Sequence, residues 1–394
     1  MILRNRIKKA LGRSAAILAS SYREEGRLGG WYHHLGEEKL GHVATSQGLL
    51  MSRSFSDIDG SRIRRGYELL TERFQIAALP AKGGGWSYMT NVRNVVFVDA
   101  TAWCLMALSN SQDERHIVLC REAREFLRSA ALASRSSGVW GAFYDDSPRI
   151  YHTCVALRAL AIDLSADALL VSNALNWLLA KQAQEEGRCG WGERPGDIPT
   201  VVHTAHALIA IRRVYGGNST VREAVMPSVA WLSKVARGES DELGDVVEII
   251  DVPESAGARR IDFRHSTASL VATALMQWGA SATASRKLIA RVVRNFETAG
   301  RVWTSPLAPN RQPMWALYGS VGCLLCYQEV APGLGLADLL DFVRRREVQI
   351  LGLVTYVVCM VVLAGESFSG LFAVPMALSV AANLVTVCLE KWAK

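Results

Sequence analysis

The sequence predicts an all-α fold: an (α/α)6 toroid of six inner and six outer helices, followed by a transmembrane helical hairpin. Three observations carry that prediction. A Gly-Trp punctuation recurs along the chain, a Thr-led, Ala/Leu-rich segment follows it at a near-constant interval, and the C-terminal part holds two long uncharged blocks. Repeats of this length are the mark of stacked supersecondary units that bury one continuous core.

Composition sets the frame. At 394 residues, half of them hydrophobic and 21% charged, the chain is long enough for a sizeable core and too apolar for disorder. The net charge of +7 points to an anionic partner, and its placement chooses among them. Basic residues cluster at the N-terminus (Arg4, Arg6, Lys8, Lys9, Arg13) and beside the C-terminal apolar block (Arg344, Arg345, Arg346). Neither cluster is interleaved with aromatics as single-strand binders require, so the bilayer surface is expected as partner and nucleic acid is not. Eight cysteines are scattered singly apart from Cys323 and Cys326, which lie in an apolar helical run. They read as small buried hydrophobes in a reducing compartment.

The first segment, 1–24, is a basic amphipathic helix, with Ile2, Leu3, Ile7, Leu11 and Leu18 recurring at helical spacing. It reads either as an interfacial helix on anionic lipid or as the first outer helix of the ring. The toroid is assigned to 25–345. Its punctuation runs Gly30-Trp31, Gly85-Trp86, Gly138-Val-Trp140, Gly190-Trp191 and Gly300-Arg-Val-Trp303. The Thr-led helices start at 45, 101, 153, 204 and 267, with a sixth at about 318, so the spacings are 56, 52, 51, 63 and about 51. Each interval holds two helices and two loops. The small Thr/Ala/Leu segments form the inner layer, and stretches with charged faces, such as Glu122 to Leu132 and Ser172 to Gln182, form the outer one. The single long spacing is explained by an acidic insertion, Arg237 to Arg260, with strand character at Val246 to Ile250.

The last segment, 346–394, holds Val348 to Ala364 and Leu371 to Leu389, 17 and 19 residues without a charge, joined by Gly365 to Gly370. Either block is long enough for a hydrocarbon core of roughly 30 Å, the first barely. Arg344 to Arg346 precede the first block, Lys391 and Lys394 follow the second, and the turn carries only Glu366. The positive-inside rule then places the toroid in the cytoplasm, tethered to the inner (cytoplasmic) membrane.

Particular residues add a family resemblance. Trp177-Leu178, Gln182, Gly187 and Gly190-Trp191-Gly192 resemble the QW repeat of squalene and terpenoid cyclases, with a longer gap between Gln and Trp. Ser147-Pro-Arg-Ile-Tyr-His-Thr-Cys-Val-Ala-Leu157 resembles the Tyr-His-Thr-Cys helix start of protein prenyltransferase β subunits. The resemblance covers about residues 25 to 335 and implies an α/α toroid whose inner helices begin at one rim of a central cavity. Residues one or two before each Thr then face one another, which gathers Asp99, His152, His203 and His265.

The resemblance also implies roles. Phe97-Val-Asp-Ala-Thr-Ala102 is similar to the Asp-x-Asp-Asp-Thr-Ala motif of class II cyclases, whose central Asp protonates an alkene or epoxide. Asp99 matches that Asp, whereas Phe97 and Ala100 replace the other two. In prenyltransferases the His matching His152 binds zinc together with an Asp-x-Cys, where this chain has Asp99-Ala-Thr101. Asp99, His152 and His203 are thus the candidate catalytic residues and the candidate zinc ligands, three ligands plus water. Tyr151, His265, Trp103 and Trp315 are the candidate ligand-binding residues, the aromatic faces suited to an isoprenoid or a carbocation. Two functions follow. One is prenyl or polyprenyl chemistry on an isoprenoid or lipid-like ligand. The other is a non-catalytic toroid that binds a ligand or protein partner, coupled to a membrane anchor or effector.

Overall fold

The computed structural model describes residues 2–35, 40–56, 58–88, 90, 95–133, 138–214, 217–238, 247–251, 260–264, 266–280, 282–298 and 312–330. The chain divides into two compact units, Arg6–Glu329 and Met1–Asn5 with Val330–Lys394. The first holds nearly all the described residues. The expected spans 348–364 and 371–389 lie outside them, as do His265 and Trp303. Among the described residues no helix is long and apolar enough to cross a membrane.

The helices alternate between two layers. The inner ones are α2 (His42–Ser52), α4 (Val98–Leu108), α6 (Ile150–Leu160), α8 (Val201–Val214), α10 (Thr267–Gln277) and α12 (314–330). The outer ones are α1 (Ile2–Ser20), α3 (Gly60–Glu72), α5 (Glu114–Ala133), α7 (Leu164–Ala180), α9 (Ser219–Arg237) and α11 (Ala282–Thr298). Each inner helix from α2 to α8 packs on the next inner helix. Burial explains the division. Every residue of α4 is buried, as expected of a helix apolar on all sides, whereas α3 buries only Gly66, Leu69 and Leu70. Asp59 caps α3, Asn218 caps α9, and Gly238, at φ 83°, closes α9 in the left-handed region.

Of the two readings of the N-terminal helix, the packing matches an outer helix. Ile7, Ala10, Leu11, Ser14 and Leu18 are buried. Arg6 pairs with Glu297 at 2.6 Å, and Arg13 Nη1 donates to the Phe296 carbonyl of α11 at 2.9 Å. On its other flank, Arg62 of α3 donates to the Ala19 carbonyl at 2.9 Å. Inside, the Met314 N–H donates to His33 O at 3.0 Å, so the last inner helix is tied back to the first unit.

The chain is mostly helical, as expected, with short ribbons between the helices. Among the described residues five two-stranded antiparallel sheets accompany the helices: β1 (Tyr22–Glu25) with β2 (Leu28–Trp31), β3 (His34–Leu35) with β10 (Gln312–Pro313), β4 (Gln75–Ile76) with β5 (Gly84–Gly85), β6 (Ala183–Glu185) with β7 (Arg188–Gly190), and β8 (Val247–Asp251) with β9 (Arg260–Arg264). Three of these ribbons carry the chain from the end of an outer helix to the next Gly-Trp. The β6–β7 turn places Glu186 at φ 50° and Gly187 at φ 76°, the two positive angles of a tight hairpin turn. β8 lies within the acidic insertion, where strand character is expected, and β9 begins at its last residue, Arg260.

One contact set repeats in the first four units. The buried Trp indole donates to a carbonyl in the last turn of the preceding outer helix or just short of its end: Trp31 to Leu18 O at 2.8 Å, and Trp86 to Leu70 O, Trp140 to Leu127 O and Trp191 to Leu178 O at 2.7 Å each. Its backbone N–H donates to the Thr hydroxyl of the following inner helix, Thr45, Thr101 and Thr153 at 3.2 Å and Thr204 at 3.0 Å. The Thr therefore lies three residues inside its helix rather than opening it, and its side chain faces outward. Gly30, Gly85 and Gly190 precede three of these Trp residues because a Cβ at any of them would overlap the Thr hydroxyl. Val139 takes that place in the third unit.

These contacts set an expected order of stabilities. Gly85→Ala forces a Cβ into Thr101 and is expected to cost about 1–3 kcal/mol. Trp191→Phe removes the donor to the Leu178 carbonyl, also about 1–3 kcal/mol. Gly12→Ala, where a Cβ meets nothing within 4 Å, should be neutral or stabilising. Thermal unfolding of the three variants checks that order.

Candidate functional site

Because each Thr side chain is turned outward to its Trp, the helical period fixes which residues face the axis. Two positions after Thr come Gln47, Trp103, His206 and Ser269; five after come Leu50, Met106, Arg158 and Ile209; eight after come Arg53, Ser109 and Arg212. All of these line one of two joined cavities.

The inner chamber, of about 310 Å³, runs between the inner helices and is lined by Gln47, Trp103, Tyr151, His206, Trp315 and Tyr318, with Ile209, Leu270 and Leu325 among its apolar walls. A second chamber of about 550 Å³ lies at the C-terminal ends of the inner helices and reaches the surface through exposed Arg53, Asn110, Arg212 and Arg213. Arg158, Ile209, Gln277 and Tyr318 line both. Together they are of a size that suits a small organic ligand.

Aromatic rings organise the inner chamber. Trp103 meets Tyr318 edge to face, with centroids 5.0 Å apart at 81°, and the Arg158 guanidinium lies 5.2 Å from the Trp103 ring centre. Tyr151 meets His206 at 4.9 Å, and Trp315 packs on His33 at 4.8 Å. Trp103 Nε1 and Gln47 Oε1 are buried with no hydrogen-bond partner among the described residues. A polar group of a bound molecule or a water satisfies such atoms at low cost.

The titratable candidates sit elsewhere. Asp99 and His152 come together, His152 Nε2 lying 3.9 Å from Asp99 Oδ1, and both are buried. His203 is buried too, its Nδ1 2.7 Å from Thr200 Oγ1, and none of the three lines either cavity. Tyr151, Trp103 and Trp315 do line the inner chamber. The residues do not fit the zinc site that the resemblance implies. Among the described residues no three of His, Cys, Asp and Glu gather to hold a metal ion. Burial pushes the thiols of Cys104 and Cys154 far above the usual thiol range. Cys323 is buried as a small hydrophobe, while Cys326 faces the chamber, its thiol raised by burial, and by the Glu329 charge, to about 11.

Four features escape the reading one and two residues before each Thr: His42, His206, Gln47 and the arginines of the outer chamber. His206 and Gln47 stand two after Thr, a position visible once the Thr is known to face outward. His42 lies three before Thr45. Its Nδ1 donates to the Ser87 carbonyl at 2.8 Å, and complete burial, with Arg73 adding to it against that hydrogen bond, lowers its pKa to about 4.

The described residues of the first unit thus define an α/α toroid with a ligand-sized axial cavity. Solved structures support this fold. The type II terpene cyclase MstE from Scytonema, with its product merosterolic acid A, is 14% identical and matches at a TM-score of 0.52 over 83% of this chain and 99% of its own. Cellobiose 2-epimerase from Spirochaeta thermophila is 16% identical at a TM-score of 0.57, over 85% of this chain and 100% of its own. A family 76 glycoside hydrolase from a bovine Bacteroides thetaiotaomicron strain is 11% identical at 0.56, over 82% and 78%. No protein-family model matches the chain, and no curated protein matches it in sequence.

His42 generates a pH prediction. Its folded pKa of about 4 lies below the unfolded 6.5, so the unfolded chain takes up a proton first on acidification. Its contribution is fully present above pH 6.5 and is lost progressively down to pH 4, by about 3 kcal/mol in total. His42→Asn keeps a donor near Nδ1 without a titrating ring. Denaturant unfolding across that range should show a shallower acid slope for the variant.

Proposed function

We propose that the ring is a receptor for an isoprenoid or similar lipid-like ligand, held along the axis against aromatic faces. The hairpin read from 348–364 and 371–389 would tether it at the cytoplasmic face of the membrane, where such ligands reside. The observation that carries this reading is Trp103, two residues after its clamp Thr, facing Tyr318 in a chamber also walled by Tyr151 and Trp315. Aromatic faces give an alkene chain large contact area at little entropy cost. MstE, which shares the fold, has been solved with geranylgeranyl dihydroxybenzoate, and that supports the same ligand class here.

A carbohydrate reading would draw on the epimerase and the glycoside hydrolase. Glycoside hydrolysis mostly uses a facing pair of carboxyl groups. Among the described residues Glu329 is the one carboxylate lining either chamber. The binding reading is also preferred to proton-initiated cyclisation. Asp99, in the position of the cyclase acid, is packed against His152 and not against the chamber.

Mass spectrometry of organic extracts from the detergent-purified full chain should detect a polyprenyl or related lipid. In a scintillation proximity assay, radiolabelled geranylgeraniol should bind saturably, and Trp103→Ala should weaken it about tenfold or more, the loss of one packed aromatic contact. Asp99→Asn should yield the same recovered lipid as the wild type. An empty extract together with no saturable binding would overturn the reading.

A further inference from the structure

We infer that the ligand of this cavity is an amphiphile whose anionic head lies at the arginine-lined mouth, with its apolar body in the aromatic chamber. This rests on the lipid-receptor reading and adds the ligand's polar end. The outer chamber is lined by Arg53, Arg158, Arg212 and Arg213 and, among the described residues, by no carboxylate. Helix C-termini attract cations, and this accounts for two of the four. Arg53 Nη2 donates to the Ala107 carbonyl at 2.6 Å, and Arg212 Nε to the Gln277 carbonyl at 3.0 Å.

The same attraction acts on Arg158, in the last turn of α6, but it does not explain where that guanidinium lies. That side chain stands on the inner face of α6 where the two chambers join, stacked 5.2 Å from the Trp103 ring centre. A half-buried cation between an apolar chamber and solvent is costly to keep without a counter-charge, and among the described residues the one carboxylate on the chambers' lining is the exposed Glu329. A guanidinium stacked on an indole still presents its in-plane N–H fork, the geometry that grips a phosphate or carboxylate in two places. Exposed Arg213, with Ser109 and Asn110, completes a basic and hydrogen-bonding rim around it. The order along the axis is therefore cationic rim, Arg158 on Trp103, then aromatic and aliphatic wall. A neutral hydrocarbon leaves the rim unused, and a free anion leaves the chamber unused. A two-ended ligand uses both.

The test measures binding of geranylgeranyl phosphate, geranylgeraniol and inorganic phosphate to the full chain in neutral detergent, each variant being scored by its own ratio of phosphate-headed to alcohol affinity. In the wild type the phosphate-headed lipid should bind about tenfold or more tighter than the alcohol, as one charge-assisted contact supplies. Raised salt should shrink that ratio, since part of the rim is exposed. Arg158→Gln should bring it close to one, and Arg158→Lys should keep part of it. Arg213→Gln, at an exposed position that does not endanger folding, should lower it by a smaller factor. Inorganic phosphate alone should bind far more weakly than the lipid. Equal affinity for alcohol and phosphate-headed lipid in the wild type overturns the anionic head and leaves the receptor standing, as does an unchanged ratio in both Gln variants. Inorganic phosphate binding as tightly as the lipid overturns the amphiphile. Saturable binding of neither lipid overturns this inference and the receptor reading together.

Discussion

The rest of the ring depends on one two-handed interaction, the tryptophan that joins an outer helix to the inner helix after it. Its indole N–H donates to a carbonyl near the end of the outer helix. Its backbone N–H is satisfied by a threonine hydroxyl on the inner helix. Both groups are buried, so either one left alone would carry the full cost of desolvation. The two bonds therefore fix an angle as well as a distance. They set where the outer helix stops and which way the inner helix is rotated. In α2, α4 and α8 the positions two, five and eight after the Thr meet at the axis, and α6 shares the fifth, so much of the cavity wall results from repetition rather than from any single designed site.

This explains which parts were legible in the sequence. The clamp is made of residue types with few substitutes: an indole donor, a β-hydroxyl and a glycine where backbone meets hydroxyl. Gly85-Trp86 with Thr101 and Gly190-Trp191 with Thr204 stood out for that reason, and with them the alternation of inner and outer helices. The ribbons were less visible because they are two to five residues long and their turns rest on pairs such as Glu186-Gly187, which any loop can contain. The threonine itself misled. Thr is a common helix opener, so Thr101 and Thr153 suggested helix starts, whereas the helices begin three residues earlier at Val98 and Ile150.

That three-residue difference also governs how much of the candidate site could be read. Positions just before Thr gave Asp99, His152 and His203, which the fold packs among the inner-helix starts. The axis belongs to positions two, five and eight after it, where Trp103, Arg158 and Arg212 stand. Trp315 and Tyr151 were legible because aromatic residues on a small-residue helix are conspicuous. The arginines were not, since Arg158 and Arg212 look like ordinary C-terminal helix cations until the ring closes around them.

The two ends of the inner layer then differ in chemistry for a physical reason. Parallel inner helices bring their N-terminal ends, with partial positive charge, to one end and their C-terminal ends, with partial negative charge, to the other. At the first end His42 is held neutral by burial. Asp99 stands there too, in the first turn of α4. At the second end cations are welcome, and the arginines collect. Two of them satisfy backbone carbonyls, which anchors the rim without neutralising it, because a carbonyl accepts a hydrogen bond but carries no net charge. The surplus positive charge therefore remains at the open end. It is a consequence of the same parallel packing that makes the axis hollow, and it gives the second chamber, where Arg53, Arg212 and Arg213 meet solvent, a basic rim.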